Sequence, residues 1–285
     1  MPLKQSIKKL LLSCVVLSAT AGVTATSFAH EMGLQVYSLR NQFEQNGVAD
    51  TFATIKEWDI SLLEAAGNLY GLTIYEYKSE LAKHGLQIVS ADSNYEEVDQ
   101  MPLAVVYKAN YYGAKFATFY WIPHEGEFGF EHAKKAVDMM NRSGKILKDN
   151  GITLQYHPHG YELTPYKDGT LLDYMLQNVT EAEFQMDVFW IKNGGGDPVA
   201  YLQKYPGRFK TLHLKDRLPG TPNNNTGQQD VETNVVLGTG DVGIADVVAE
   251  AKKQGIRYFF IEDESSRVER QVPQSIEYLK SLGVH

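Results

Sequence analysis

Along residues 30–285, apolar positions follow two rhythms that take turns. Short runs of apolar and β-branched residues end at a glycine, an asparagine or a lone charged residue, as buried strands do. Between them lie longer segments whose apolar residues recur with a helical period. The short runs predict strands at 33–38, 60–65, 86–91, 115–121, 152–157, 183–187, 209–214 and 257–262. The longer segments predict helices at 49–57, 74–83, 96–112, 130–148, 171–179, 198–204, 244–254 and 272–282. Gly67, His84-Gly85 and Asn150-Gly151 act as stops, Pro102 interrupts 96–112 early, and Asp197 caps a helix that opens on Pro198. Helix 130–148 gathers Ala133, Ala136, Val137, Met140, Ile146 and Leu147 on one face. A long polar loop, 216–234, contains Asn223-Asn224-Asn225.

Eight strands alternating with helices over this length predict an α/β chain, a single-domain (β/α)8 TIM barrel. Right-handed crossovers make its sheet parallel and bring all strand C-termini to one rim, where such barrels build their sites. A doubly wound open sheet is the second choice, and no Gly-x-Gly-x-x-Gly turn follows the first strand to support it.

That rim decides the candidate chemistry. The run 152–162 ends in two histidines, and a strand sets Gln155, His157 and His159 on one face. The next three strands end in Asp187, His213 and Glu262. Two imidazoles and two carboxylates on neighbouring strand ends suit one divalent cation with open positions for substrate oxygens. His159 reads equally as a ligand in place of His157, as a base, or as a hydrogen-bonding residue before the turn at Gly160. Glu64, at the end of strand two, is a candidate base or one half of a salt bridge within the barrel. Lys215 shares a strand face with His213, so it faces substrate unless it is a solvated loop lysine. Glu262 keeps a free oxygen and doubles as a candidate base. Trp121, Trp190, Glu162 and Arg217 are candidate substrate contacts, the tryptophans by stacking on a sugar ring. Tyr37 is assigned to ordinary packing. Asp263 and Glu264 are expected to be solvated or paired with Arg267 and Arg270. The barrel's core is expected to be apolar and independent of the rim.

The amino terminus reads as a targeting segment. Lys4, Lys8 and Lys9 precede a short apolar stretch, and Ser27-Phe28-Ala29 offers small residues for signal cleavage. Residues 1–29 are thus an expected signal peptide, residues 30–285 the barrel, and the location periplasmic or secreted. Two weaker readings are a lipobox at Leu11-Leu12-Ser13-Cys14 and an uncleaved anchor. Cys14 is the single cysteine, so a mature chain has no thiol and no disulfide. Losing three lysines and no acid takes the formal charge from −8 to −11, with 24 basic against 35 acidic residues. Such a balance argues against a nucleic-acid partner. No membrane contact is expected after cleavage, and a homo-oligomer is compatible with the sequence.

Several motifs carry a resemblance that spans the mature chain. They are Leu62-Leu63-Glu64-Ala65-Ala66-Gly67, Gln155-Tyr156-His157-Pro158-His159-Gly160-Tyr161-Glu162 and Met186-Asp187-Val188-Phe189-Trp190. Tyr205-Pro206-Gly207-Arg208 leads into Leu212-His213-Leu214-Lys215-Asp216, and Leu237-Gly238-Thr239-Gly240-Asp241 follows. In these the chain resembles the sugar phosphate isomerase/epimerase family, the xylose-isomerase-like barrels. The resemblance implies one divalent metal, most often Mn²⁺, held by Glu, Asp, His and Glu at the ends of strands five to eight. Asp187, His213 and Glu262 match three of these positions. His157 stands where the family often has Glu, and an added imidazole opens the site to Zn²⁺, Co²⁺ or Fe²⁺. The implied activity is epimerisation or isomerisation of a carbohydrate, a keto sugar or 3-keto-glycoside, through an enediolate. A lyase or hydratase on a 3-keto-glycoside uses the same enolisation. A non-catalytic sugar-binding barrel is the third class. The related DNA-repair endonuclease branch is disfavoured by the acidic charge and the export signal.

Overall fold

The structure, a computed structural model, describes residues 30–285; the expected signal segment and Cys14 lie outside the described residues. Its frame is eight strands: β1 Glu31–Gln35, β2 Leu62–Glu64, β3 Gln87–Ser93, β4 Phe116–Phe119, β5 Thr153–Tyr156, β6 Glu183–Asp187, β7 Phe209–Leu214 and β8 Tyr258–Ile261. Each pairs parallel with its neighbours in chain order, and β8 closes back on β1. Closure excludes the open doubly wound sheet. The register matters for the site, because Asp187 lies opposite His213 and His213 opposite Phe260.

Among the described residues ten α-helices accompany the strands: α1 Arg40–Glu57, α2 Ile74–Lys83, α3 Tyr95–Gln100, α4 Pro102–Tyr112, α5 Phe130–Asp149, α6 Leu171–Asn178, α7 Val188–Asn193, α8 Pro198–Lys204, α9 Ile244–Lys253 and α10 Val268–Ser281. The periodicity anticipated only the second half of α1, because Gly47 breaks the segment with φ 81°. Pro102 divides the expected helix 96–112 into α3 and α4. The sequence reading missed α7. Asp187 ends β6 and also caps α7, its Oδ1 accepting the Trp190 N–H at 2.8 Å. The apolar run after it therefore turns into a helix instead of extending the strand.

The main apolar core lies between barrel and helices, around Leu34, Phe52, Leu63, Leu154, Leu212 and Phe259. The barrel interior is different. Val89, Tyr258 and Phe260, with Leu62 and Phe116, plug its N-terminal end. Above the plug sits a wholly buried polar layer of Ser90, Thr118, Gln155, Gln185 and Thr211. Thr211 donates to Gln155 Oε1 at 3.2 Å, and Gln155 Nε2 donates to Thr118 at 2.9 Å. Burying such groups is tolerable because each is paired. The expectation of an apolar interior independent of the rim is corrected, since this layer runs directly into the rim.

The polar loop after β7 begins as a short antiparallel ribbon, Asp216–Arg217 against Asn234–Val235. It then folds across the barrel mouth. Gly227, at φ 70°, lies against Trp121 and Tyr161 so closely that an added Cβ would stand 2.8 Å from each ring. Among the described residues no helix is long and apolar enough to cross a membrane.

Candidate active site

His157, Asp187 and His213 converge at the C-terminal rim, each offering a ligand atom within 4.8 Å of the others. All three are buried. His157 Nδ1 faces Gln185 Oε1 at 2.9 Å, which leaves Nε2 aimed at Asp187 Oδ2, 3.7 Å away. Asp187 Oδ2 is buried and accepts no hydrogen bond. An anionic oxygen in that condition calls for a cation. His213 Nδ1 lies 3.8 Å from the same oxygen and 2.6 Å from Glu262 Oε2. Its Nε2 is bonded to Glu64 Oε1. The donor set fits a divalent ion: two imidazole nitrogens, an unsatisfied carboxylate oxygen and a fourth carboxylate beside them.

The electrostatics agree with stored negative charge. Burial pushes the Asp187 carboxyl up to about 7, and neighbouring Glu262 adds to the effect. Burial alone would lower the His213 pKa, yet Glu64 and Glu262 raise it to about 10. The same two carboxylates would favour a cation beside that ring. Burial, reinforced by His213, holds His157 well below the usual imidazole range, so it is a neutral donor.

Lys215 is no solvated loop lysine; it is 1% exposed. Its Nζ bonds Glu264 Oε1 at 2.5 Å, lies 3.5 Å from Glu262 Oε1, and sits over the rings of Phe189 and Trp190. Burial would raise the Glu262 pKa, but Lys215 and His213 hold it well below the usual carboxylate range.

A cavity of about 400 Å³ opens above these groups, lined by His157, His159, His213 and Glu262 at its floor and by Tyr37, Tyr120, Trp121 and Trp190 on its walls. His159 is neutral, burial taking its pKa down to about 4, and its ring packs between Trp121 and Trp190.

Other expected site residues lie elsewhere. Glu64 is behind His213, fully buried, and does not line the cavity. Glu162 is also fully buried, bonded to the Tyr156 hydroxyl and to the His159 N–H, so it braces the turn instead of meeting a substrate. Arg217 is committed to Asp241 at 2.9 and 3.0 Å and to Asn223 at 2.7 Å. It fastens the mouth loop. Tyr37, assigned to packing, is instead 45% exposed at the mouth, because the 3₁₀ turn Val36–Leu39 throws it outward. Glu264 pairs with Lys215 and Arg40, and Asp263 accepts from Ser265 and Gln271, while Arg267 pairs with Glu232. That corrects the expected pairing with Arg267 and Arg270.

The model of the xylose isomerase-like TIM barrel family matches residues 52–282. The chain belongs to that family. The inosose dehydratase of Clostridium beijerinckii is 28% identical to this chain over 202 residues, which cover 62% of this chain and 64% of that protein. The chain thus spans less than two thirds of that relative's length. The structure of a sugar phosphate isomerase/epimerase from Parabacteroides distasonis matches with a TM-score of 0.73 at 25% identity, over 94% of this chain and 100% of that one. D-allulose 3-epimerase from Methylomonas sp., at 14% identity, shares the fold with a TM-score of 0.67, over 90% of this chain and 99% of that one.

Within this xylose-isomerase-like barrel, the sequence reading missed Gln35, Tyr120, Gln185 and Glu264. Their signal was weak. A glutamine inside an alternating strand reads as solvent-facing until the sheet closes on itself.

Proposed function

We propose that this protein is a divalent-metal-dependent enzyme that moves a proton on the carbon next to the carbonyl of a keto sugar or 3-keto-glycoside. The observation that carries the reading is the buried, unpartnered Asp187 Oδ2 facing His157 Nε2 and His213 Nδ1, two rings that line a sugar-sized cavity. His157, Asp187, His213 and Glu262 would hold the ion. Mn²⁺ is the first choice, and the second imidazole also suits Zn²⁺, Co²⁺ or Fe²⁺. When bound, the ion supplies Lewis acidity that steadies negative charge growing on substrate oxygens.

The chain's own residues do the rest. Glu262 lines the cavity with one oxygen toward Lys215 and is held ionised, as a base must be. Lys215 keeps that charge in place from behind. His159, neutral and facing the cavity, would hydrogen-bond a substrate hydroxyl. Trp121 and Trp190 give flat walls for a sugar ring. Epimerisation or isomerisation returns the proton to carbon. Elimination of water or an aglycone from the adjacent carbon is the second reading, and the likeness to an inosose dehydratase favours it.

Metal analysis of gently purified protein, followed by a screen of keto sugars and 3-keto-glucosides, tests the proposal. A stoichiometric divalent ion and metal-dependent turnover are expected. A product of equal mass marks the epimerase, and loss of water or aglycone marks the lyase. An active protein without stoichiometric metal overturns the site. We also infer export, from the Lys4, Lys8 and Lys9 region and Ser27-Phe28-Ala29. N-terminal sequencing of the exported form should start at His30; an intact Met1 or a lipidated Cys14 would contradict it.

A further inference from the structure

We infer that Gln185 is a positioning residue that fixes the tautomer of His157, and that Glu64 sets the direction of that lock while orienting His213 itself. The inference rests on the metal reading above but concerns Gln185 and Glu64, neither of which lines the cavity.

Glu64 is fully buried, and both of its oxygens accept hydrogen bonds from side-chain amides. Three donors converge on it: Gln35 Nε2 at 2.9 Å, Gln185 Nε2 at 2.7 Å and His213 Nε2. The amide of Gln185 therefore has one orientation. Turned over, its carbonyl oxygen would face Glu64 Oε2 acceptor to acceptor. Thr211 tightens the choice, receiving the same Nε2 at 2.9 Å and passing its own proton to Gln155 Oε1. With nitrogen toward Glu64, Gln185 Oε1 must face His157. It meets Nδ1 at 2.9 Å, so Nδ1 carries the ring proton and Nε2 carries the lone pair.

His213 is set by the same carboxylate. Its Nε2–H points at Glu64, so Nδ1 is the nitrogen free for exchange with a cation. One buried charge thus directs both imidazoles toward Asp187 Oδ2, directly for His213 and through an amide relay for His157. Partners behind metal-binding histidines commonly do this work. Here one carboxylate serves two rings, and Gln185 carries the link to His157.

Nuclear magnetic resonance of the metal-free protein, with ¹⁵N-labelled histidine, reads the tautomers directly. In the wild type His157 should carry its proton on Nδ1; a proton on Nε2 overturns the inference, and this measurement needs no variant to fold. Gln185→Met keeps the length and removes both amide partners. It should give mixed His157 tautomers and weaken Mn²⁺ binding, measured by calorimetry, by about 10- to 100-fold. An unchanged tautomer and affinity in Gln185→Met would overturn the inference as well. Wild-type protein that takes up no Mn²⁺, Zn²⁺, Co²⁺ or Fe²⁺ would instead sink the metal reading, while the tautomer of His157 still decides the relay.

Discussion

His213 Nδ1 stands 2.6 Å from Glu262 Oε2 while its other nitrogen is bonded to Glu64. One ring from β7 thus ties β2 to the end of β8 across the barrel. His213→Ala should abolish metal uptake and turnover together. It should also destabilise the protein, because Glu64 would be left buried without its cationic partner, an event that costs about 3–5 kcal/mol. Elemental analysis and urea unfolding of the variant check both halves. Retention of the ion at wild-type affinity would exclude His213 as a ligand.

Lys215 gives a contrasting prediction. It is buried against Glu264 and Glu262 but faces no metal donor nitrogen. Lys215→Met should keep the ion and lower kcat by roughly 100-fold, the scale of losing one preorganised charge at a reacting centre. Metal content and turnover measured on one preparation separate the two effects. Wild-type turnover would reduce Lys215 to a structural ion pair.

Much of this architecture is legible in the sequence, and the exceptions have physical causes. Strands β6 and β7 match their expected bounds: β6 ends at Asp187, a side chain unsuited to an apolar core, and β7 ends at Leu214, just before the charged pair Lys215-Asp216. Convergence of His157, Asp187 and His213 follows from counting consecutive strands and trusting a parallel barrel. Gln35 and Gln185 escaped because alternation predicts two faces and cannot say that one of them encloses a polar interior. Tyr37 escaped because a 3₁₀ turn, not an extended strand, follows Gln35. Glu162 and Arg217 were given to substrate on residue type alone, and only packing shows their partners.

Gly33 supports the floor of the site. An added Cβ would lie 2.7 Å from Phe260 Cδ1 and 2.8 Å from the Leu62 carbonyl oxygen. Phe260 plugs the barrel and packs edge-on against His213, with ring centroids 6.3 Å apart. Gly33→Ala must therefore shift either a backbone or the plug. Overpacking of this kind costs typically about 1–3 kcal/mol. A lowered urea midpoint should show it; wild-type stability would mean that the plug yields freely.

Glu162 yields a pH prediction that is independent of the metal donors. Its carboxyl is fully buried, and burial pushes its pKa up to about 7 even though the Tyr156 hydroxyl and the His159 N–H both favour its charged form. Its ordinary value is 4.5. Between those values the folded chain holds a proton that the unfolded chain has released. The contribution is therefore fully present below about pH 4.5 and is lost as pH rises through about 7. A shift of this size corresponds to on the order of 3 kcal/mol. Glutamine mimics the protonated acid: its oxygen can accept the His159 N–H while its nitrogen donates to the Tyr156 hydroxyl, which already bonds Tyr161 at 2.8 Å. Glu162→Gln should accordingly flatten this part of the stability profile, so that the variant loses less stability than wild type between pH 5 and pH 8. Urea unfolding at both pH values, with chelator present, makes the comparison. A wild-type profile no steeper than that of Glu162→Gln would show that Glu162 is already ionised in the folded chain and that its hydrogen bonds outweigh its burial.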